Sequence, residues 1–170
     1  RGAPLTIEGS APVHYMAVLE QVKPEPFAKA LDHGFTVTRQ YLDERTGQPL
    51  QAVKVGDLVR VRLHVKTGRV MNYVAISDPI PAGFEPVNGK LATERGTDAG
   101  PYWGFGNHRD LRDERADWFV DVLAAGDHTL DYTLRATHAG SIVAPPTRAE
   151  EMYAPSVMGH AESQTLTVTR

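Results

Sequence analysis

A chain of 170 residues with a formal net charge of −3 is long enough to form one domain of ordinary size with one buried core. Its acidic and basic residues are well mixed, so the sequence indicates neither a nucleic-acid partner nor binding to an anionic lipid surface. The absence of cysteine excludes disulfides, thiol nucleophiles and thiolate metal sites within this sequence.

The first 21 residues contain two strand-like segments, 5–8 and 13–20. Prolines at positions 24 and 26 follow and are typical of a linker. We therefore expect a boundary near residue 22, with a main domain over 22–170. No segment approaches the roughly 20 apolar residues that span a bilayer, and residues 1–20 lack the layout of a signal peptide, so we expect any targeting segment to lie elsewhere.

The remainder of the chain is rich in period-two alternation. In the clearest segment, 58–66, the odd-numbered residues are Val or Leu and the even-numbered ones after 58 are Arg, His or Lys. Further strands are predicted at 35–42, 71–77, 117–123, 129–137 and 164–169, and one helical turn at 27–33. The pattern predicts an all-β, immunoglobulin-like antiparallel β-sandwich with long loops and at most short helical turns.

Two of these strands carry the expected core anchors. They lie in the segments 117–123 and 129–137, which are joined by a turn at Gly126. The expected anchors are Trp118, Phe119, Tyr132 and Leu134.

The most unusual segment follows these strands. It runs from Pro145 and Pro146 to Met152, Tyr153 and Pro155. Prolines on both sides stiffen this predicted loop, so an apolar pair at its tip would lose little entropy on docking to another surface. We hypothesise that Met152 and Tyr153 form such a contact; the alternative is that they are buried in the core of their own domain.

Other candidate sites have simpler explanations. His108 lies close to three carboxylates within 108–114, but the interleaved arginines favour a salt-bridged turn, so we expect no metal and no cofactor. Tyr102, Trp103 and Phe105 could form an exposed platform for sugar or peptide, but the sequence favours a plug at one end of the sandwich. We find no nucleophile elbow, zinc-protease motif or phosphate loop, so we expect no enzyme activity.

Six segments in this order resemble the C-terminal end of bacterial alpha-2-macroglobulins. They are 33–41, 55–59, 73–85, 113–115, 132–137 and 145–153. Together they span nearly everything after residue 30, and the ordered set ending in Pro-Pro and Glu-Met-Tyr is specific. The chain therefore resembles the last macroglobulin-like domain of this family, with residues 1–21 resembling the terminal strands of a preceding CUB-like domain.

The resemblance implies a function. Members of this family are large periplasmic protease traps, usually lipoproteins and often linked with a penicillin-binding protein, in which cleavage of a bait region exposes a thioester that captures the protease. The implied role here is a non-catalytic domain that docks on the thioester domain and shields it until the bait is cleaved, with Met152, Tyr153, Pro145 and Pro146 as the contact residues. The implied partners are the thioester and CUB-like domains of the same chain and, through the parent protein, target proteases.

The resemblance also implies a periplasmic location for a parent anchored by lipid to the inner membrane. The alternative function is an adhesin-type stalk or a carbohydrate-binding module. Such modules share the sandwich and a turn like the Asp-Pro-Ile-Pro-Ala-Gly segment at 78–83.

Overall fold

A computed structural model of the protein describes residues 28–50, 52–87 and 108–170, together with single residues scattered before position 28. These residues form thirteen β-strands and no helix, which confirms the all-β prediction. The strands are β1 (Leu31–His33), β2 (Thr36–Asp43), β3 (Val53–Lys54), β4 (Leu58–Thr67), β5 (Met71–Pro79), β6 (Phe84–Pro86), β7 (His108–Leu111), β8 (Arg115–Leu123), β9 (Gly126–Ala136), β10 (Gly140–Ala144), β11 (Arg148–Glu151), β12 (Ala154–His160) and β13 (Gln164–Thr169). A search of the same residues for a helix capable of crossing a membrane finds none.

The strands form three sheets. A six-stranded sheet has the order β1-β12-β11-β5-β8-β7, a four-stranded sheet has the order β2-β4-β9-β6, and a three-stranded sheet has the order β10-β13-β3. Among the described strands every pairing is antiparallel except that of β3 with β13. Buried residues from all three sheets join one hydrophobic cluster, so the sheets pack face to face around a shared core.

One of the two inner strands of the four-stranded sheet, β4, shows the predicted alternation. In β4 the residues from Val59 to Val65 that face inward are fully buried, because alternate side chains point to opposite faces of a strand. The outer face carries charge: Arg62 pairs with Asp131 on the neighbouring β9, with Nη2 and Oδ2 2.6 Å apart. A partly exposed pair of this kind adds little to stability, so burial of the inner face is what holds β4 in place.

Three of the four expected core anchors lie in the core. Trp118 on β8 and Tyr132 on β9 meet across the two sheets with ring centroids 5.8 Å apart, and Leu134 is fully buried. The expectation for Phe119 is wrong: its side chain is 37% exposed, and its ring stacks on that of His108 on the outer face. Adjacent strand residues face opposite ways, so a buried Trp118 places Phe119 outside.

The helical turn expected over 27–33 is also wrong. Residues 31–33 form β1, which extends the edge of the six-stranded sheet by pairing with β12. The chain then crosses to the four-stranded sheet, and at Gly159 a Cβ atom would lie 1.8 Å from the carbonyl oxygen of Phe35. Only glycine fits this crossing, because any side chain would force the two backbones apart. For residues 31–33, pairing with the distant strand β12 has thus overridden the local preference for a helical turn.

Several expectations concern residues for which no local structure is described. The strands expected over 1–21 and the boundary near residue 22 fall where only isolated residues are described. The aromatic residues Tyr102, Trp103 and Phe105 lie outside the described residues. These expectations stay predictions.

One buried carboxylate joins the two larger sheets. Asp78 on β5 has no exposed surface and accepts hydrogen bonds from Nη1 of Arg39 on β2 at 2.7 Å, the hydroxyl of Tyr132 on β9 at 2.7 Å and the hydroxyl of Thr147 before β11 at 2.8 Å. Burial raises the pKa of Asp78, while the guanidinium of Arg39 and then the two hydroxyls act to lower it. We call these four residues the Asp78 cluster.

The contrast between Trp118 and Phe119 gives a direct test of which face of β8 is buried. Substitution Trp118→Ala should lower the free energy of unfolding by about 3–5 kcal/mol, because it leaves a cavity between the sheets. The matched substitution Phe119→Ala should cost about 1 kcal/mol or less, because that ring lies on the outer face. Urea denaturation of both variants checks this, and equal losses would contradict the orientation of β8.

Candidate functional site

The structure places Met152 and Tyr153 at the end of a hairpin. They form the two-residue turn between β11 and β12, directly after Glu151 and before Ala154. Their exposed fractions are 40% and 82%. Neither side chain is therefore buried in the core of this domain, which was the alternative to a contact surface.

Of the prolines expected to stiffen this turn, only Pro155, the second residue of β12, lies beside it. Pro145 and Pro146 do not flank it; they link β10 of the three-stranded sheet to β11 of the six-stranded sheet. At about 3.3 Å per strand residue, Pro146 lies about 20 Å along the chain from Met152, so the structure does not bring Pro145 and Pro146 to the tip. The turn is held because β11 is paired with β5 in unbroken register up to Glu151, and also with β12, where the register shifts between Glu150 and Glu151.

A third aromatic or apolar residue completes the surface. Tyr73 on β5 is 50% exposed, and its ring meets the ring of Tyr153 edge to face, with centroids 5.2 Å apart and planes at 87°. The backbone N–H of Met152 donates a hydrogen bond of 2.9 Å to the carbonyl oxygen of Tyr73. We call Tyr73, Met152 and Tyr153 the tip surface.

Tyr73 has an unusual backbone. With a φ of 53°, it is the non-glycine residue with positive φ among those described. The alternation of β5 breaks here, because Met71 and Val74 are both buried and the two residues between them are both exposed. The left-handed conformation thus keeps the strand in its sheet while giving the outer face an additional side chain.

Glu151 ties the tip to the start of β5. Its carboxylate accepts a 2.9 Å hydrogen bond from the backbone N–H of Asn72 and pairs with Nη2 of Arg69 at 3.1 Å. The N–H of Asn72 and then the guanidinium of Arg69 lower the pKa of Glu151 below its ordinary value. The last residue of β11 is therefore fastened to the start of β5 and to the turn that precedes it.

Sequence reasoning found Met152 and Tyr153 but missed Tyr73, Glu151 and Arg69. One signal was present: between 71 and 76 the large aliphatic residues and methionine fall at 71, 74 and 76, so the period-two pattern slips at Asn72 and Tyr73. The partners of Glu151 lie about 80 residues earlier and have no local signature.

Two other regions, the segment 108–114 and a groove beside β2, are weaker candidates for a functional site than the tip surface. In 108–114 the structure has β7 followed by a turn, with Nε of Arg112 2.7 Å from Oδ2 of Asp110, and no group of three or more potential metal-ligating side chains occurs in the described ranges. A groove between β2 and β13 is lined by residues that include Arg39, Tyr41 and Gln164. Its described lining contains no histidine or carboxylate, and the guanidinium of Arg39 is already held by the Asp78 cluster.

The stability of the Glu151 contact should depend on pH. Because the folded pKa of Glu151 is depressed, its contribution is present above the unfolded value of about 4.5 and is lost as pH falls through the folded pKa. Substitution Glu151→Gln should therefore flatten the loss of stability between about pH 5 and pH 3.

Urea midpoints across that pH range provide the measurement. Glu162→Gln is the matched control, because it makes the same change at an exposed residue outside the strands. A Glu151→Gln profile that parallels the wild-type profile would show that this carboxylate is not held as described.

The fold defines a class. An all-β chain whose two larger sheets pack face to face, with a third small sheet beside them, matches the macroglobulin-like β-sandwich domain of a solved alpha-2-macroglobulin. Residues 34–156 match the family model described as the bacterial alpha-2-macroglobulin MG10 domain. The chain belongs to this family, which confirms the resemblance noted in the sequence.

Known relatives agree with this placement. The chain is 31% identical over 137 residues to alpha-2-macroglobulin of Pasteurella multocida, covering 80% of the chain and 7% of the relative. It is 29% identical over 164 residues to an alpha-2-macroglobulin homolog of Yersinia pestis, covering 85% and 8%. It is also 31% identical over 166 residues to circularly permutated Ras protein 2 of Dictyostelium discoideum, covering 92% and 4%, so similar sequence is not confined to proteins named alpha-2-macroglobulin.

Solved structures show the same fold. Escherichia coli alpha-2-macroglobulin activated by porcine elastase superposes with a TM-score of 0.73 at 24% identity, covering 84% of this chain and 14% of that one. The trypsin-activated protein from the same organism gives 0.73 at 25% identity, covering 84% and 11%. The chain spans 4–8% of the length of the curated relatives described above.

Proposed function

We propose that this domain is a non-catalytic part of a bacterial alpha-2-macroglobulin-type protease inhibitor. In this proposal the tip surface docks on the thioester domain of the same parent chain and shields the thioester until a protease cleaves the bait region. The observation that carries the proposal is the exposed Met152-Tyr153 pair on a hairpin turn whose first strand is paired on both sides.

The residues of this turn are not those that folding would select. Two-residue hairpin turns favour Asn-Gly or another glycine-containing pair, which reach positive φ without strain. The turn here is Met-Tyr, and neither residue has positive φ. An amphipathic tyrosine and a flexible thioether are well suited to contact with another protein surface. A docking role explains the composition of this turn better than a folding role does.

Shielding a thioester from nucleophiles requires only a small increase in the free-energy barrier. A thioester survives in water only when nucleophiles are kept from it, and an apolar cover excludes them. Slowing the reaction tenfold takes about 1.4 kcal/mol of additional barrier. Because β11 is paired with β5 in unbroken register up to Glu151, and the N–H of Met152 is bonded to the carbonyl oxygen of Tyr73, docking would cost little conformational entropy.

Family membership supports the remaining elements of the proposal. We propose that the parent protein is periplasmic and anchored by lipid to the inner membrane, and that it acts on target proteases. Its CUB-like domain would be a second partner of this domain, and a penicillin-binding protein a partner of the parent. None of the described residues specifically favours an adhesin stalk or a carbohydrate-binding module.

Amine reactivity tests the shielding role. A solved relative, Salmonella alpha-2-macroglobulin, has been reacted with methylamine, which makes this small amine a suitable probe. In the full-length parent, Met152→Ala with Tyr153→Ala should raise the rate of methylamine incorporation about tenfold for each 1.4 kcal/mol of barrier that is lost.

The control is Val143→Ala, which truncates an exposed apolar residue in the three-stranded sheet and should leave the rate unchanged. After bait cleavage the double variant and the wild type should react alike, because the cover has already been removed. An unaltered rate in the uncleaved double variant would rule out the shielding role.

A further inference from the structure

We infer that Tyr73 is the residue that positions the tip surface and contributes the third side chain of the cover. This inference rests on the proposed function of Met152 and Tyr153. Tyr73 lies on a different strand, about 80 residues earlier in the chain, and is not part of the hairpin that carries the other two.

The first argument is the backbone of Tyr73. A φ of 53° is unfavourable for a residue with a bulky side chain, because its Cβ crowds the following carbonyl. Glycine or asparagine would adopt the same conformation with less strain. A strained residue persists where surrounding structure over-determines it, and such residues concentrate at functional surfaces. The tyrosine side chain at this position therefore calls for an explanation other than backbone geometry.

The second argument is what the conformation achieves. The slip in alternation at Asn72 and Tyr73 turns the ring of Tyr73 outward, where it meets the ring of Tyr153 edge to face with centroids 5.2 Å apart. A side chain that is 82% exposed, as Tyr153 is, has little packing of its own. The contact with Tyr73 restricts the orientations of that ring before any partner arrives, and so reduces the entropy that docking must overcome.

The third argument is the pair of backbone contacts around these rings. Asn72, the residue before Tyr73, donates its N–H to the carboxylate of Glu151, and Met152 donates its N–H to the carbonyl oxygen of Tyr73 at 2.9 Å. The start of β5 and the hairpin turn between β11 and β12 therefore fix each other's backbone. The conformation of Tyr73 and the direction of the hairpin turn are set together, which makes Tyr73 a positioning residue.

Substitution Tyr73→Gly separates positioning from simple packing. Glycine accepts the left-handed conformation, so relief of strain offsets the greater freedom of the unfolded chain, and the thermal stability should stay close to that of the wild type. The whole side chain is lost, and with it the ring contact to Tyr153. Tyr73→Phe is the matched control, because it keeps the ring and removes the hydroxyl.

The measurements are made in the full-length parent. In Tyr73→Gly, hydrogen exchange of the Met152 amide should accelerate about two- to tenfold, the range expected for loss of an edge-to-face ring contact. Methylamine incorporation before bait cleavage should rise in the same direction. Tyr73→Phe should match the wild type in both measurements.

The outcomes distinguish this inference from the proposed function. If Met152→Ala with Tyr153→Ala raises methylamine incorporation while Tyr73→Gly alters neither that rate nor the exchange of the Met152 amide, the inference is overturned and the shielding role stands. If exchange accelerates in Tyr73→Gly but no variant changes methylamine incorporation, Tyr73 positions the tip and the shielding role is overturned. If Tyr73→Gly accelerates both the exchange of the Met152 amide and methylamine incorporation, the result supports the positioning role of Tyr73 and the shielding role of the tip surface.

Discussion

The Asp78 cluster is the constraint on which the rest of this sandwich depends. A carboxylate without exposed surface would be strongly unfavourable unless its lone pairs are filled, and its donors here come from both layers: Arg39 and Tyr132 from the four-stranded sheet, and Thr147 from the chain entering β11. A one-residue slip of β5 would turn Asp78 to the outer face and leave Arg39 buried without a counter-charge. The cluster therefore fixes the register between the layers as well as their separation.

One pair of hydrogen-bonded strands, β5 and β11, connects the Asp78 cluster to the tip surface. Asp78 and Thr147 lie at one end of the paired strands β5 and β11, and Tyr73 and Met152 lie at the other. The register is continuous from Ser77 opposite Arg148 to Val74 opposite Glu151, so no slack exists between the two ends. A group that carries no exposed surface thereby determines where an exposed apolar turn is presented. In our proposal, this rigidity is what makes a small domain effective as a cover.

Local pattern was sufficient for much of the fold. Alternation over 58–66 predicted an inner strand of the four-stranded sheet, and the final strand at 164–169 has the predicted bounds. We expected Phe119 in the core, but the rule of alternation places it on the outer face once its neighbour Trp118 is buried. The Asp78 cluster could not be read from the sequence, because its donors are 39, 54 and 69 residues away and nothing local marks which ones converge. The role of Tyr73 likewise depends on a hairpin far along the chain.

The central claim is that Asp78 and Arg39 fasten the layers through their mutual contact. A double-mutant cycle with Arg39→Met and Asp78→Asn, followed by urea denaturation, tests it most directly. Each single substitution should cost about 3–5 kcal/mol, because it leaves a buried polar partner unpaired, and the double variant should lose at least about 1.5 kcal/mol less than the sum. Losses that add to within about 0.5 kcal/mol would contradict the claim.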